Sequence, residues 1–324
     1  MIKRSRVVGC GSFLPEKVVT NDDMSKFVDT NHEWVVTRTG IHQRHMAAEH
    51  EKTSDLALEA CKRALESAGK TAGDIDFIIC ATTTPDQVFP ATATRLQAAL
   101  GMKKGFGMDL QAVCSGFVYA LSVADNFITS GQAKCGIVVG AETMSRLLDW
   151  NDRGTAVLFG DGAGAVVLEA SEGEGSLEDT GVLRTFLHSD GQLNEILHMT
   201  GGPGSNKCIG SMVMNGREVF RHAVDKLGGA IEEMLAHFKL TEDNIDWFIP
   251  HQANERIIDA LAKRFSFTPE KVVKTVAHHA NTSAASIPLA LDAAVKDGRI
   301  QRGDLILLDA LGGGLTWGSA LLRW

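Results

Sequence analysis

No apolar run in this 324-residue chain is long enough to cross a membrane. The opening MIKRSRVVGCGSF is basic, but its apolar stretch is too short and broken for a signal peptide. Positive charge is scarce as well: 32 Lys and Arg against 40 Asp and Glu leave a net charge of −8. That disfavours general nucleic-acid binding, which needs a positive face. Paired cysteines are missing. The six cysteines, at 10, 61, 80, 114, 135 and 208, form no CxxC, which argues against a structural zinc site. Four of them lie inside apolar runs, the usage of a reducing cytoplasm, where thiols serve as small hydrophobes. The closely spaced glycines of GDGAGA (160–165) lack the lysine of a P-loop and an acidic ribose partner. The histidines at 42, 45 and 50 lack helical metal-ligand spacing. What is present is a globular composition, 44% apolar and 22% charged, enough for two domains or one large α/β unit.

The chain repeats itself. IDFII at 75–79 returns as IDWFI at 245–249, an offset of 170. At that offset Ala57, Ala60, Cys61, Ala64, Leu65 and Ala68 fall opposite Leu227, Ala230, Ile231, Met234, Leu235 and Phe238. Both sets have the spacing of one buried helix face. Near an offset of 167, CSGFVYALSVADNFITSGQ (114–132) lies opposite NTSAASIPLALDAAVKDGR (281–299), each with a glycine just past the helix end. Apolar strands follow at 136–142 and 305–311, then glycine-rich segments lead into further strands at 159–170 and 311–324. The pattern predicts two duplicated α/β halves, 1–172 and 173–324, packed about a pseudo-twofold axis with mostly parallel sheets buried on both faces. In this register Cys114 and Asn281 are equivalent, each at the start of the same helix. His251, in IPHQANE, follows directly on the repeated strand. Loops after strand ends build sites in such sheets, so the axis would bring the three together.

These residues carry a resemblance. AVCSGF, IPHQAN and ANTSAASIPLAL, in this order, resemble the β-ketoacyl-[acyl-carrier-protein] synthase III family of thiolase-like condensing enzymes. WVVTRTGI (34–41), DRGTAVLFGDGAGA (152–165), MNGREVF (214–220) and GGGLTWGSALLRW (312–324) extend the likeness over nearly the whole chain. The chain departs from the family at Ala280, commonly glycine, and at Leu311, often phenylalanine.

The resemblance implies a five-layered αβαβα fold, a cytoplasmic homodimer, and condensation of a short acyl-CoA, acetyl-CoA for choice, with malonyl-acyl-carrier protein. Acyl-CoA enters as a substrate, and no metal or redox cofactor is implied. The chemistry suits the residue types. Cys114 at a helix N-terminus is expected to have a lowered pKa and to take the acyl group. His251 and Asn281 offer neutral N–H donors to the enolate formed when malonate loses CO2. The oxyanion hole falls to the backbone of Cys114 and Gly313. The family's CoA contacts map to Trp34 and Arg153, sandwiching adenine, and to Arg38, Gly216 and Asn254. Carrier-protein contacts map to Arg256, Lys263 and Arg264, expected on one helix face, with Arg221. Phe89 matches a residue that reaches into the partner subunit's primer pocket. Two alternatives remain: a secondary-metabolism relative with a longer or aromatic primer, and a non-catalytic acyl-carrier scaffold.

Overall fold

The computed structural model describes residues 1–324. Strands β1 (Ile2–Phe13), β2 (Phe77–Ala81), β3 (Phe106–Leu110), β4 (Cys135–Thr143) and β5 (Asp161–Gly173) form one sheet, in the order β1-β5-β4-β2-β3. Strands β6 (Gly181–Ser189), β7 (Trp247–Pro250), β8 (Leu305–Gly312) and β9 (Thr316–Arg323) form a second, in the order β7-β8-β9-β6. Neither sheet is mostly parallel, as the alternation of strands and helices led us to expect. β2 runs parallel to β3 and β4, and β7 parallel to β8, but every other pairing is antiparallel. The link from β8 to β9 shows why. It spans residues 313–315, too few for the crossover that a parallel return requires.

Alternation along the strands sorts side chains into layers. On β2, Phe77, Ile79 and Ala81 join a central core with helices α4 (Gly116–Thr129) and α7 (Ser286–Lys296), while Ile78 and Cys80 join an outer core with α2 (Thr53–Ala68) and α3 (Thr92–Ala99). On β8, Ile306, Leu308 and Ala310 point into the same central core. Leu305 and Leu307 point outward, toward α5 (Gly216–Phe238) and α6 (Glu255–Arg264). The order is therefore helix, sheet, helix pair, sheet, helix: the five-layered αβαβα arrangement. The middle helices are apolar on most of their circumference because both sheets cover them. Nearer the N-terminus, helix α1 (His32–Thr39) flanks α6.

The offset of 170 holds further than the sequence suggested. α2 and α5 end at Ala68 and Phe238, each followed by a residue in the left-handed region, Gly69 and Lys239. A tight 3-10 turn precedes each middle helix, Val113–Ser115 before α4 and Ser283–Ala285 before α7. Both turns open on a residue with positive φ, 49° at Val113 and 51° at Ser283. The backbone counterpart of Cys114 is therefore Ala284, not Asn281, which lies three residues earlier. The offset of 167 applies only at the far ends of the helices, at Gly131 and Gly298, because α7 is three residues shorter than α4 (11 against 14).

The two turns face each other. A Cβ on Gly116 would lie 3.3 Å from the Ala81 Cβ and 3.4 Å from the Ala284 Cβ. Each sheet supports the other's turn by a bare glycine: a Cβ on Gly140 of β4 would stand 2.2 Å from the Ala284 carbonyl oxygen, and one on Gly312 of β8 would stand 2.7 Å from the Cys114 nitrogen. Backbone cannot yield as a flexible side chain would. Gly140→Ala is therefore expected to cost about 1–3 kcal/mol, the range for overpacking, and to slow chemistry at Cys114 as well. Urea unfolding and thiol labelling of the purified variant measure the two effects, and an unchanged midpoint with normal labelling counts against this close approach.

Candidate active site

Cys114 occupies the turn that leads into α4 and is 6% exposed. The turn is pinned by hydroxyls. Ser115 Oγ donates to the Ala112 carbonyl at 2.8 Å and meets Thr316 Oγ1 at 2.8 Å, and Thr316 also lies 3.0 Å from the Ala112 carbonyl. A β-branched residue with positive φ immediately before the cysteine, Val113, is strained. The turn is thus held by its surroundings rather than by local preference.

His251 follows β7, its N–H donating to the Asp309 carbonyl at 2.8 Å. Its Nδ1 lies 2.6 Å from Ser286 Oγ, on the first turn of α7. Ser286 Oγ accepts the Gln252 N–H at 3.3 Å, so its own proton is free for Nδ1. With that proton donated to Nδ1, the ring carries its own on Nε2. Gln252 is itself buried and fully used: it donates to the Pro250 and Val273 carbonyls and accepts from the Thr275 and Val276 N–H groups. Burial drives the His251 pKa down to about 3, so the ring is neutral in ordinary buffers.

Asn281 is 5% exposed. Its Oδ1 accepts the Ser283 N–H at 2.9 Å, which fixes the amide orientation and leaves Nδ2 to donate elsewhere. Its backbone exchanges hydrogen bonds with Leu158 and Gly160. Ala280, before it, has φ 58° and ψ −161°, a region that glycine occupies without cost and alanine does not. The departure from glycine at 280 thus acts on backbone strain. Ala280 does not line the cavity, whereas Leu311 does.

Cys114, His251 and Asn281 line one cavity of about 480 Å³. Its walls are apolar, built from α5 (Val219, Phe220, Ala223, Leu227), α6 (Ile257, Leu261), Leu197, Met214 and Leu311; its polar rim holds Arg38, Arg217 and Arg256. Burial in this setting pushes the Cys114 thiol up to about 12, with the nearby Ser283 hydroxyl opposing the rise and the Glu142 carboxylate adding to it. The expectation of a lowered pKa is overturned. A helix N-terminus supplies at most about 2 kcal/mol, and desolvation of the thiolate outweighs it.

Of the other expected contacts, Trp34, Arg38, Gly216, Asn254 and Arg256 line the cavity. The Arg38 and Arg153 guanidinium carbons lie 4.4 and 4.9 Å from the Trp34 ring centroid, and Arg153 also bonds Asp29. A purine would have to displace one of these cations from the indole. Asn254 caps α6, accepting from the Arg256 N–H and donating to the Arg38 carbonyl. Arg221 lies against His222, and Lys263 lies on α6 outside the cavity. Arg264 departs from the expected patch. Its guanidinium turns into α5, donating to Glu232 at 2.8 Å and to the Val224 carbonyl at 3.1 Å over the bare Gly228, and so clamps two helices. Gly313 borders a second cavity of about 330 Å³ with Val113, Met144, Leu147, Met199 and Met212; Leu197 lines both. Phe89 is 81% exposed and touches neither cavity. No cluster of three His, Cys, Asp or Glu side chains is placed to hold a metal.

Arg217, Ser283, Ser286 and Glu142 were not singled out from the sequence. Ser283 and Ser286 stood inside the motif NTSAASIPLAL, two and five residues after Asn281, and that spacing was their only signal. Glu142 was hidden at the end of an apolar strand.

Two family profiles match the chain: 3-oxoacyl-[acyl-carrier-protein] synthase III over residues 108–191 and its C-terminal counterpart over 235–324. A β-ketoacyl-[acyl-carrier-protein] synthase III of Paramagnetospirillum magneticum is 60% identical over the full length of both chains. The chain belongs to the β-ketoacyl-[acyl-carrier-protein] synthase III family. Among solved structures, a 3-oxoacyl-[acyl-carrier-protein] synthase III from Aquifex aeolicus superposes with a TM-score of 0.93 at 46% identity, covering 99% of this chain and 100% of its own. The priming β-ketosynthase of the R1128 polyketide pathway gives 0.93 at 35% identity, covering 99% and 96%. The chain is therefore an acyltransferase, a synthase of the kind that performs the initiating condensation of fatty-acid synthesis.

A neutral buried histidine makes the synthase sensitive to acid. Unfolded histidine binds a proton near pH 6.5, whereas His251 in the fold does so only near 3 and His279, also buried, near 4. Between these limits the unfolded chain holds more protons, so stability is full above about pH 6.5 and falls as pH drops, by about 1.4 kcal/mol per pH unit for each such ring. Urea midpoints should therefore fall between pH 7 and pH 5, and His251→Ala should flatten the slope. A slope unaltered in the variant would mean that His251 is not held neutral.

Proposed function

We propose that the synthase loads a short acyl group, acetyl for choice, from acyl-CoA onto Cys114 and condenses it with malonyl-acyl-carrier protein. The observation that carries this reading is the convergence of Cys114, His251 and Asn281 on one apolar cavity whose rim is cationic. CoA enters past Trp34, Arg38 and Arg153, with its pantetheine arm along Gly216 and Asn254. Cys114 attacks the thioester carbonyl and CoA leaves. The oxyanion is held by the N–H groups of Cys114 and Gly313, which the close approach of Gly312 to Cys114 brings together. Malonyl-carrier protein then binds and loses CO2. The enolate oxygen takes hydrogen bonds from His251 Nε2 and Asn281 Nδ2, and the carbanion attacks the acyl-cysteine to give a 3-oxoacyl-carrier protein. A histidine that stays neutral donates without quenching the carbanion, which suits it to this step. No metal or redox cofactor is called for in this sequence of steps.

The carrier protein, an acidic partner, docks on Arg221, Arg256 and Lys263, with Arg217 added at the rim. The chain works as a cytoplasmic homodimer of two-half subunits, 1–172 and 173–324. Support for the dimer comes from β3, an edge strand whose five residues are all half-buried, beside the exposed Val88 and Phe89. Such an edge invites pairing with a second copy, and Phe89 would then reach the partner. A longer primer is the second reading. It is favoured by the 330 Å³ cavity, lined by adaptable methionines, on the far side of Leu197.

Mass spectrometry after mixing with acetyl-CoA should show one acetyl gained on Cys114 and none in Cys114→Ser. A panel of acyl-CoAs distinguishes the primers, and loading confined to long or aromatic ones overturns the acetyl assignment. His251→Ala and Asn281→Ala should still load acetyl but condense about 10²–10³-fold more slowly. Equal losses in loading would remove them from the decarboxylation step.

A further inference from the structure

Arg264 is drawn away from the patch expected on α6. Its guanidinium lies along α5, donating to the Val224 carbonyl at 3.1 Å and to the Glu232 carboxylate at 2.8 Å. Val224, Gly228 and Glu232 are spaced four apart and so form one stripe of the helix. The Val224 carbonyl has a second lone pair beyond the one its own helix uses, and the arginine reaches it because Gly228 has no side chain. A Cβ at 228 would stand 2.0 Å from Arg264 Nη1 and 2.4 Å from the guanidinium carbon. The same guanidinium lies 5.5 Å from the centroid of the buried Phe265 ring.

A glycine in the middle of a helix destabilises it relative to alanine. α5 carries two in succession, and they differ. A Cβ at Gly229 would meet nothing within 4 Å, whereas one at Gly228 would fill the seat of the guanidinium. The ion pair itself is weak, since the Arg264 side chain is 34% exposed and that of Glu232 58%. A carbonyl, a bare glycine and an aromatic ring hold the arginine in place. No other side chain of α6 hydrogen-bonds to α5: Asn254 turns to α1, and Glu255 and Asp259 pair with Lys274. The rest of the contact between the two helices is apolar, and apolar contact is non-directional. The seat also adjoins the cavity. Ala223 and Leu227, each one residue before Val224 and Gly228, line the α5 wall, and Leu261, one turn before Arg264, lines the α6 wall.

We propose that Arg264 is a positioning residue for substrate binding: it fixes the spacing of α5 and α6, and with it the width of the channel that takes the arm of acyl-CoA. It touches no reacting atom. With the clamp in place both walls are held ready for the arm. Without it the walls slide, and the channel keeps its binding width for only part of the time, which weakens binding in proportion. The clamp rests on the reading of this cavity as the acyl-CoA site.

Rates of acetyl transfer to Cys114, followed by mass spectrometry at increasing acetyl-CoA, give a half-saturating concentration and a limiting rate. Arg264→Ala removes the guanidinium, and Gly228→Ala expels it from the other side while keeping its charge. Both should raise the half-saturating concentration about three- to tenfold, the inverse of the fraction of time the channel keeps its width. The limiting rate should stay within about twofold of the parent's, as expected for a residue that acts on binding alone. Urea midpoints give a second readout. Gly228→Ala should lower the midpoint in the parent but raise it in Arg264→Ala, where the notch is empty, and Gly229→Ala should raise it in both. A folded Arg264→Ala with the parent's half-saturating concentration overturns the proposal, and so does one in which only the limiting rate falls. A Gly228→Ala that raises the midpoint of the parent overturns it as well, because the guanidinium then does not occupy the notch. Failure of the parent to gain acetyl overturns the acyl-CoA reading and the role of the clamp with it; loading by the parent with both variants unaltered overturns the clamp alone.

Discussion

Everything in the site depends on two tight turns packed face to face at the centre of the molecule. Each begins on a residue with positive φ, each opens a middle-layer helix, and each is approached by a bare glycine from the opposite sheet. Backbone against backbone leaves no slack. That is how Cys114 is held to one cavity with His251 and Asn281, more than a hundred residues further along the chain, with no disulfide to fix them. The strain at Val113 and Ala280 persists because the two sheets and the helix pair between them over-determine the turns.

The same burial sets the electrostatics. In an apolar cavity a histidine is driven to its neutral form and a thiol to its protonated form. The first consequence favours a reaction that needs hydrogen-bond donors beside a carbanion. The second opposes a reaction that needs a thiolate. The cavity's cations stand on Arg38, Arg217 and Arg256, where the proposed reading has them meet phosphate or an acidic surface.

Much of the architecture was legible. The i, i+3, i+4 pattern marked the buried faces of the paired helices, and the strand repeat IDFII/IDWFI marked their common register. The motifs around Cys114, His251 and Asn281 located the cavity. The equivalence drawn between Cys114 and Asn281 failed because the aligned helices differ by three residues, nearly one turn. Similar composition at their far ends then hid the shift at their starts. Arg264 looked like a member of a solvent-facing patch, since nothing in its own helix shows that Gly228 of another helix leaves a notch for it.

By itself the sequence determined the buried helix faces, the family and the identity of the three side chains that meet, because those follow from periodicity and from residue types whose chemistry is local; the five layers were implied through the family resemblance. Tertiary structure alone decided the backbone counterpart of Cys114, the direction in which its pKa moves, and the neighbours Ser283, Ser286 and Glu142. The physical reason is that desolvation and hydrogen bonding depend on distances between elements far apart in the chain, and no spacing along one strand or helix records them.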